Sequence, residues 1–132
     1  MWKCFIVSNA IDMEATFTII GTVPSKPNTY QIIVVDGKRR LGKSKTLKDY
    51  EGSFYLQCPI RNKNIQGFFK VQIDVFFPSL SHDIDNAAKI ILDCLQSSKV
   101  IKNDNRCVEL LMRKFKDAVN PRCVITIEEV EL

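Results

Sequence analysis

The segment FFKVQIDVFF, Phe68 to Phe77, and the stretch that follows it constrain the fold most. Phe69, Val71, Ile73, Val75 and Phe77 alternate with Lys70, Gln72 and Asp74. A period of two reads as a strand with one apolar face and one polar face. Pro78 ends it, because proline cannot donate to a sheet ladder. Beyond a short polar corner, Ile84, Ala87, Ala88, Ile91, Leu92 and Leu95 recur at helical spacing and predict an amphipathic helix. A one-faced strand followed by a one-faced helix buries both apolar surfaces only if helix packs on sheet, which excludes an all-helical or all-β chain.

The rest of the chain extends this pattern. Ala15 to Val23 is rich in β-formers and predicts a strand, and Pro24 to Asn28 a loop. Thr29 to Val35 predicts a second strand closed by the Asp36-Gly37 turn signal. Basic residues follow, then a helix over Ser44 to Cys58, capped by Ser44 or Thr46 and weakened by Gly52. Ser97 to Asn105 reads as a turn region. Cys107 to Phe115 and Arg122 to Val130 read as two final strands, expected to pair as a hairpin across Lys116 to Pro121. The order β, β, α, β, α, β, β predicts an α+β single domain, a mixed β-sheet with two α-helices packed on it. Residues 1–14 form an N-terminal extension and residues 15–132 the domain.

At 132 residues the chain supports one core. No apolar run reaches the roughly 18 to 20 residues that span a bilayer, and the N-terminus lacks the basic start of a signal peptide. Five cysteines without a CxxC pair, beside one histidine, argue against a zinc site or a disulfide framework. Free thiols in a reducing, cytoplasmic setting are expected. The net charge of +4 is less informative than its distribution. Lys38, Arg39, Arg40, Lys43, Lys45 and Lys48 fall between Gly37 and Lys48 without an acid. That cluster fits either a phosphate-binding surface or a solvated loop and helix start.

The corner between strand and second helix, SHDIDNAAK, places Asp83, Asp85, Asn86 and Lys89 together. Asp83 suits an N-cap, and Asp85 a first turn where the helix dipole favours a carboxylate. The same residues suit a metal site. Asp83 and Asp85 stand two apart across the corner, and Lys89 lies one turn on. It serves there as an ion-pair partner of Asp85 or as a phosphate-binding cation. Asp104, in the polar turn KNDN, is expected to return past the helix start as a third carboxylate. Magnesium takes oxygen ligands of this kind from few carboxylates and substrate phosphate.

The pattern DIDNAAK followed by ND resembles the RusA family of Holliday-junction resolvases, which carry D-x-D-N-x-x-K and a later aspartate. PSKPNTY, Pro24 to Tyr30, is similar to that family's P-S-x-N-x-x-Y stretch. The likeness runs from about Phe17 to Val130. It implies that Asp83, Asp85 and Asp104 bind Mg²⁺, with Mn²⁺ a possible substitute, that Lys89 is essential, and that Asn86 supports the site. It also implies a homodimer that nicks opposed strands of branched DNA. His82 stands where the family often has arginine or lysine, and Asn103-Asp104 where many members have two adjacent acids. Residues 1–14 match nothing in the family.

The function expected is Mg²⁺-dependent, structure-selective phosphodiester hydrolysis of four-way junctions in DNA recombination and repair. Lys89 stabilises transition-state charge, and Lys26, Lys38, Arg39, Arg40, Lys43 and Lys45 track the DNA backbone. The alternatives are an inactive junction-binding module, a magnesium nuclease acting on other branched or single-stranded DNA, and an interaction domain whose acids only cap a helix. A general-base role for His82 is a further option.

Overall fold

The computed structural model describes residues 13–131, so the predicted extension and Cys4 fall almost wholly outside the described residues. The first strand, β1 (Glu14–Ile20), already includes Glu14, and Met13 packs against the core. A 3-10 turn at Lys26–Asn28 leads to β2 (Tyr30–Val35) and β3 (Lys38–Lys43). Helix α1 (Lys45–Gln57) precedes β4 (Phe69–Phe77), and helix α2 (Ile84–Ser97) follows it. A 3-10 turn at Asp104–Arg106 opens β5 (Cys107–Lys116), and β6 (Arg122–Glu129) ends the described fold.

The main sheet has four strands in the order β1-β6-β4-β5. The apolar alternation of β4 makes it an interior strand: all five odd positions from Phe69 to Phe77 are buried, while the even ones are half-buried. Its partners are β5, parallel to it (Val71↔Leu110, Val75↔Lys114), and β6, antiparallel to it (Ile73↔Ile125). β6 also pairs antiparallel with β1 (Phe17↔Ile125). The mixed sheet and the two helices agree with the α+β expectation.

The expected hairpin of the last two strands does not form, because β4 lies between them. Parallel pairing of β4 and β5 requires a crossover, and α2 supplies it. The five-residue link from Asp117 to Pro121 then passes over the end of β4, where Asp117 N donates to Phe77 O at 2.8 Å. Two strand spacings are about 10 Å, within reach of five residues.

Both helices pack on one face. Leu47, Tyr50 and Phe54 of α1 join Ala87, Ile90, Ile91, Cys94 and Leu95 of α2 in one core with the odd positions of β4. Phe17 meets Phe54 edge to face, ring centroids 6.5 Å apart. The buried face of α2 is turned from the predicted stripe. Ile84 is exposed and Ala88 and Leu92 are half-buried, whereas Ile90 and Cys94 go inward. Cys58, Cys94, Cys107 and Cys123 are free thiols, and three of them are buried. Burial pushes the Cys94 thiol well up and the Cys123 thiol up to about 11, so neither is a ready nucleophile. Phe76 stacks on Phe115 at 4.9 Å under the Arg122 guanidinium, and Phe68 sits under Arg106. Both are covered on the second face of the sheet.

The segment read as a basic loop is a strand. β3 pairs antiparallel with β2 in a separate two-stranded ribbon, closed by Asp36 (φ 51) and Gly37 (φ 75). Two successive positive φ values are what a type I′ hairpin turn demands, so the Asp-Gly signal was sound. Charge masked the strand that follows it.

Candidate functional site

The corner that carries the aspartates is held from several sides. The His82 ring stacks on Phe77, centroids 4.4 Å apart and 11° from parallel. Lys114 Nζ of β5 donates to Leu80 O (2.9 Å) and His82 O (2.8 Å), which ties the corner to the sheet edge. His82 Nδ1 is buried without a hydrogen-bond partner.

Asp83 occupies the N-cap position of α2, yet its side chain makes no cap hydrogen bond. The amide an N-cap usually serves at N3 belongs to Asn86, and Asp85 Oδ1 takes it at 2.9 Å. Capping is therefore met by Asp85, and the Asp83 carboxylate is left exposed and uncommitted to the helix. Asn86 Nδ2 donates to Pro24 O at 3.0 Å and fastens the helix start to the proline-serine loop. Lys89 pairs with Asp93 at 3.6 Å and keeps 70% of its side chain exposed. The expected Asp85–Lys89 pair is replaced by this one, which surface exposure makes weak.

Asn86 and Lys89 line a small open groove with Thr29, Tyr30, Glu51 and Asp93. The two stretches that carry the resemblance thus meet in space. Across the groove, Lys43 Nζ bonds Glu51 at 2.9 Å, and that bond raises the lysine's pKa.

Asp104 does not join the other aspartates. Its amide donates to Gln96 Oε1 at 3.0 Å, at the far end of α2. At 1.5 Å per residue, Asp85 and Gln96 stand roughly 16 Å apart along the helix. The turn before Asp104 does not carry it back, because Cys107 must start β5 beside Phe69, at the entry end of β4. Among the described residues, no three of His, Cys, Asp and Glu gather closely enough to hold a metal ion. The donor chemistry of Asp83 and Asp85, exposed carboxylates on a fixed corner, fits part of a hard-cation site.

The basic residues are distributed around the ribbon. Arg39 shares a face with Val34, Ile32 and Lys43, while Lys38 and Arg40 share the other with Val35 and Ile33. Lys45 opens α1 and pairs with Asp49, and Lys26 lies in the first 3-10 turn. Lys114 and the Glu51 wall of the groove went unnoticed in the sequence, whereas Thr29 and Tyr30 fall in the PSKPNTY stretch. Isolated residues on separate elements leave no periodic signal.

No helix among the described residues is long and apolar enough to cross a membrane. The family model described as endodeoxyribonuclease RusA matches residues 24–128 of the chain. No curated protein matches it.

Proposed function

The chain belongs to the RusA family of endodeoxyribonucleases, and from that premise we propose that it is a Mg²⁺-dependent, structure-selective nuclease that resolves four-way DNA junctions in recombination and repair. The observation that carries this reading is the uncommitted Asp83 carboxylate at the head of α2, beside Asp85 and within the stretch that bears Lys89.

Asp83 and Asp85 of one chain, with Asp104 of a second copy, would hold the cation. When bound, such a cation supplies a nucleophile from water near neutral pH and offsets charge on the scissile phosphate. A second copy is needed because one chain keeps Asp104 at the wrong end of α2. A two-fold dimer also presents two equivalent sites to a substrate with nearly two-fold symmetry. Asn86 fixes the corner through Pro24 O, so the carboxylates are held by a rigid element. Lys89 exchanges its weak surface pair with Asp93 for the phosphate and stabilises charge as the bond breaks. Lys26, Lys38, Arg39, Arg40, Lys43 and Lys45 track the backbone of the branched DNA. The reduced thiols suit a cytoplasmic setting.

The test is a gel assay on a labelled four-way junction and a matched linear duplex, with Mg²⁺, Mn²⁺ or EDTA. Paired nicks on opposed strands are expected only in the junction and only with metal. Asp85→Asn and Lys89→Ala are each expected to cut on the order of a thousandfold more slowly. Junction binding without cutting under any metal condition would leave a binding module. Cutting of flaps or single strands in preference to junctions would redirect the substrate assignment.

A further inference from the structure

The two faces of the β2–β3 ribbon are not alike. Opposed residues of an antiparallel pair share a side. Ile32, Leu41, Val34 and Arg39 therefore stand together on one face, with Tyr30 and Lys43 at its base. Ile32, Val34 and Leu41 are 61%, 69% and 72% exposed, and none of them belongs to the core. The other face is closed on itself. Ile33 lies across Gly42, where a side-chain carbon would come within 2.7 Å of Ile33 Cδ1, and Ile33 is only 36% exposed. The open face thus shows solvent an aliphatic patch that the fold does not use, and such a patch marks a binding surface.

We propose that this face is a wedge for the branch point of the DNA: Ile32, Val34 and Leu41 cover base faces unstacked where the arms meet, while Lys38, Arg39 and Arg40 hold the flanking phosphates. The inference deepens the nuclease reading and rests on it, and it names the feature by which the ribbon tells branched DNA from linear duplex.

Charge selects the occupant. The two paired strands carry Lys38, Arg39, Arg40 and Lys43 and no acid. A second copy laid ribbon to ribbon would oppose like charges, which disfavours it. DNA offers phosphates to the cations and, wherever stacking is broken, apolar base faces to the aliphatic side chains. Between Tyr30 at the base and Arg39 near the tip, the open face holds no amide or hydroxyl to read a base edge. An intact duplex presents base edges in its grooves and keeps the faces stacked. A branch point, where strands change partner, yields faces at the least cost in unstacking.

The place of the wedge fits the same substrate. At its base the open face runs into the groove, because Tyr30 lines that groove with Asn86 and Lys89. From Tyr30 to Val34 the strand advances about 14 Å, which is roughly four base steps of one DNA strand. A phosphate held at Lys89 therefore lies within about four nucleotides of the bases that the aliphatic patch covers.

The test is a four-way junction with 2-aminopurine beside the branch point, titrated with the full chain in EDTA so that no cutting occurs. The wild type should brighten the label, and a label in mid-arm should stay dark. The triple variant Ile32→Thr, Val34→Thr, Leu41→Thr keeps every cation and uses a residue that favours strands. It should lose the brightening, and its preference for junction over duplex should fall about tenfold or more. Its salt slope on linear duplex should stay that of the wild type. Arg39→Ala with Arg40→Ala should do the reverse, binding more weakly yet brightening the label fully at saturation. Ile33→Thr, on the closed face, should brighten it as the wild type does, and loss there too would overturn the assignment to one face. Equal brightening by the triple variant would overturn the wedge. So would a triple variant that changes only from dimer to monomer in sedimentation, which would give the face to a second copy. A wild type that nicks junctions in Mg²⁺ but leaves the label dark would overturn the wedge and leave the nuclease reading standing. Brightening without nicking would support the wedge and overturn the nuclease reading, and a chain that binds no DNA would overturn both.

Discussion

The four-stranded sheet and the β2 strand of the two-stranded ribbon are both rich in β-branched and aliphatic residues, but they use those residues in opposite ways. Ile73 of β4 is fully buried between β5 and β6 and under the helices, whereas Val34 of β2 is 69% exposed. In the sheet, apolar side chains supply stability. In the ribbon they keep two strands extended while Arg39, Arg40 and Lys38 stand out from both faces. An isolated two-stranded hairpin is marginal in water, so the ribbon depends on its base. There Ser44 N donates to Thr29 O at 2.9 Å, and the Ser44 side chain caps α1. The contrast teaches that the chain separates the element that fixes the carboxylates from the element that carries the free cations.

The largest effect that could break this contrast comes from matched truncations. Ile73→Ala should lower unfolding free energy by about 2 to 5 kcal/mol, and Val34→Ala by no more than about 0.5 kcal/mol, both read by urea denaturation. Similar losses at the two sites would mean that the ribbon is packed. Next, Arg39→Ala with Arg40→Ala should weaken junction binding and flatten the slope of log affinity against log salt by about 2 if each arginine neutralises one phosphate of duplex DNA. Melting temperature should not move. An unchanged slope would remove the ribbon from the DNA-binding surface.

A smaller effect is expected at the ribbon's tip. Gly37→Ala puts a side chain at φ 75 and should cost about 1 kcal/mol locally. Hydrogen exchange should quicken in β2 and β3 while β4 and β6 stay protected, which would show that the ribbon opens on its own. The smallest effect concerns the link over β4. Hydrogen bonds donated by the Asn120 and Val119 amides, with the Arg122 guanidinium at 2.9 Å, hold the half-buried Asp117 carboxyl below its ordinary pKa. A depressed carboxylate pKa adds stability that is present above the unfolded value and lost as pH falls through the folded one. Asp117→Asn should therefore narrow the gap between melting temperatures at pH 7 and pH 3, and an unchanged gap would assign the acid sensitivity elsewhere.

Much of the fold was legible from period alone. Period two over Phe69 to Phe77 and helical spacing beyond Ile84 gave β4 and α2, because burying one face forces that pattern on the residues. The Asp36-Gly37 turn was legible because only residues tolerant of positive φ fill it. β3 was not, since Lys38, Arg39 and Arg40 hide a strand whose exposure removes the apolar alternation. The inward turn of Ile90 and Cys94 was missed because Ile84 looked core-facing, while at the helix mouth it stands in solvent.

The sequence by itself determined which elements exist and which residues resemble a nuclease motif, because those follow from local period, turn chemistry and residue type. Only the tertiary structure decided who pairs with whom. Five residues between β5 and β6 permit either a hairpin or a step over β4, and β4's need for a partner on each side selected the step. The same choice decided the fate of the aspartates. Asp83 and Asp85 are local to one corner, but Asp104 goes wherever β5 must begin, and parallel pairing with β4 puts that start at the other end of α2.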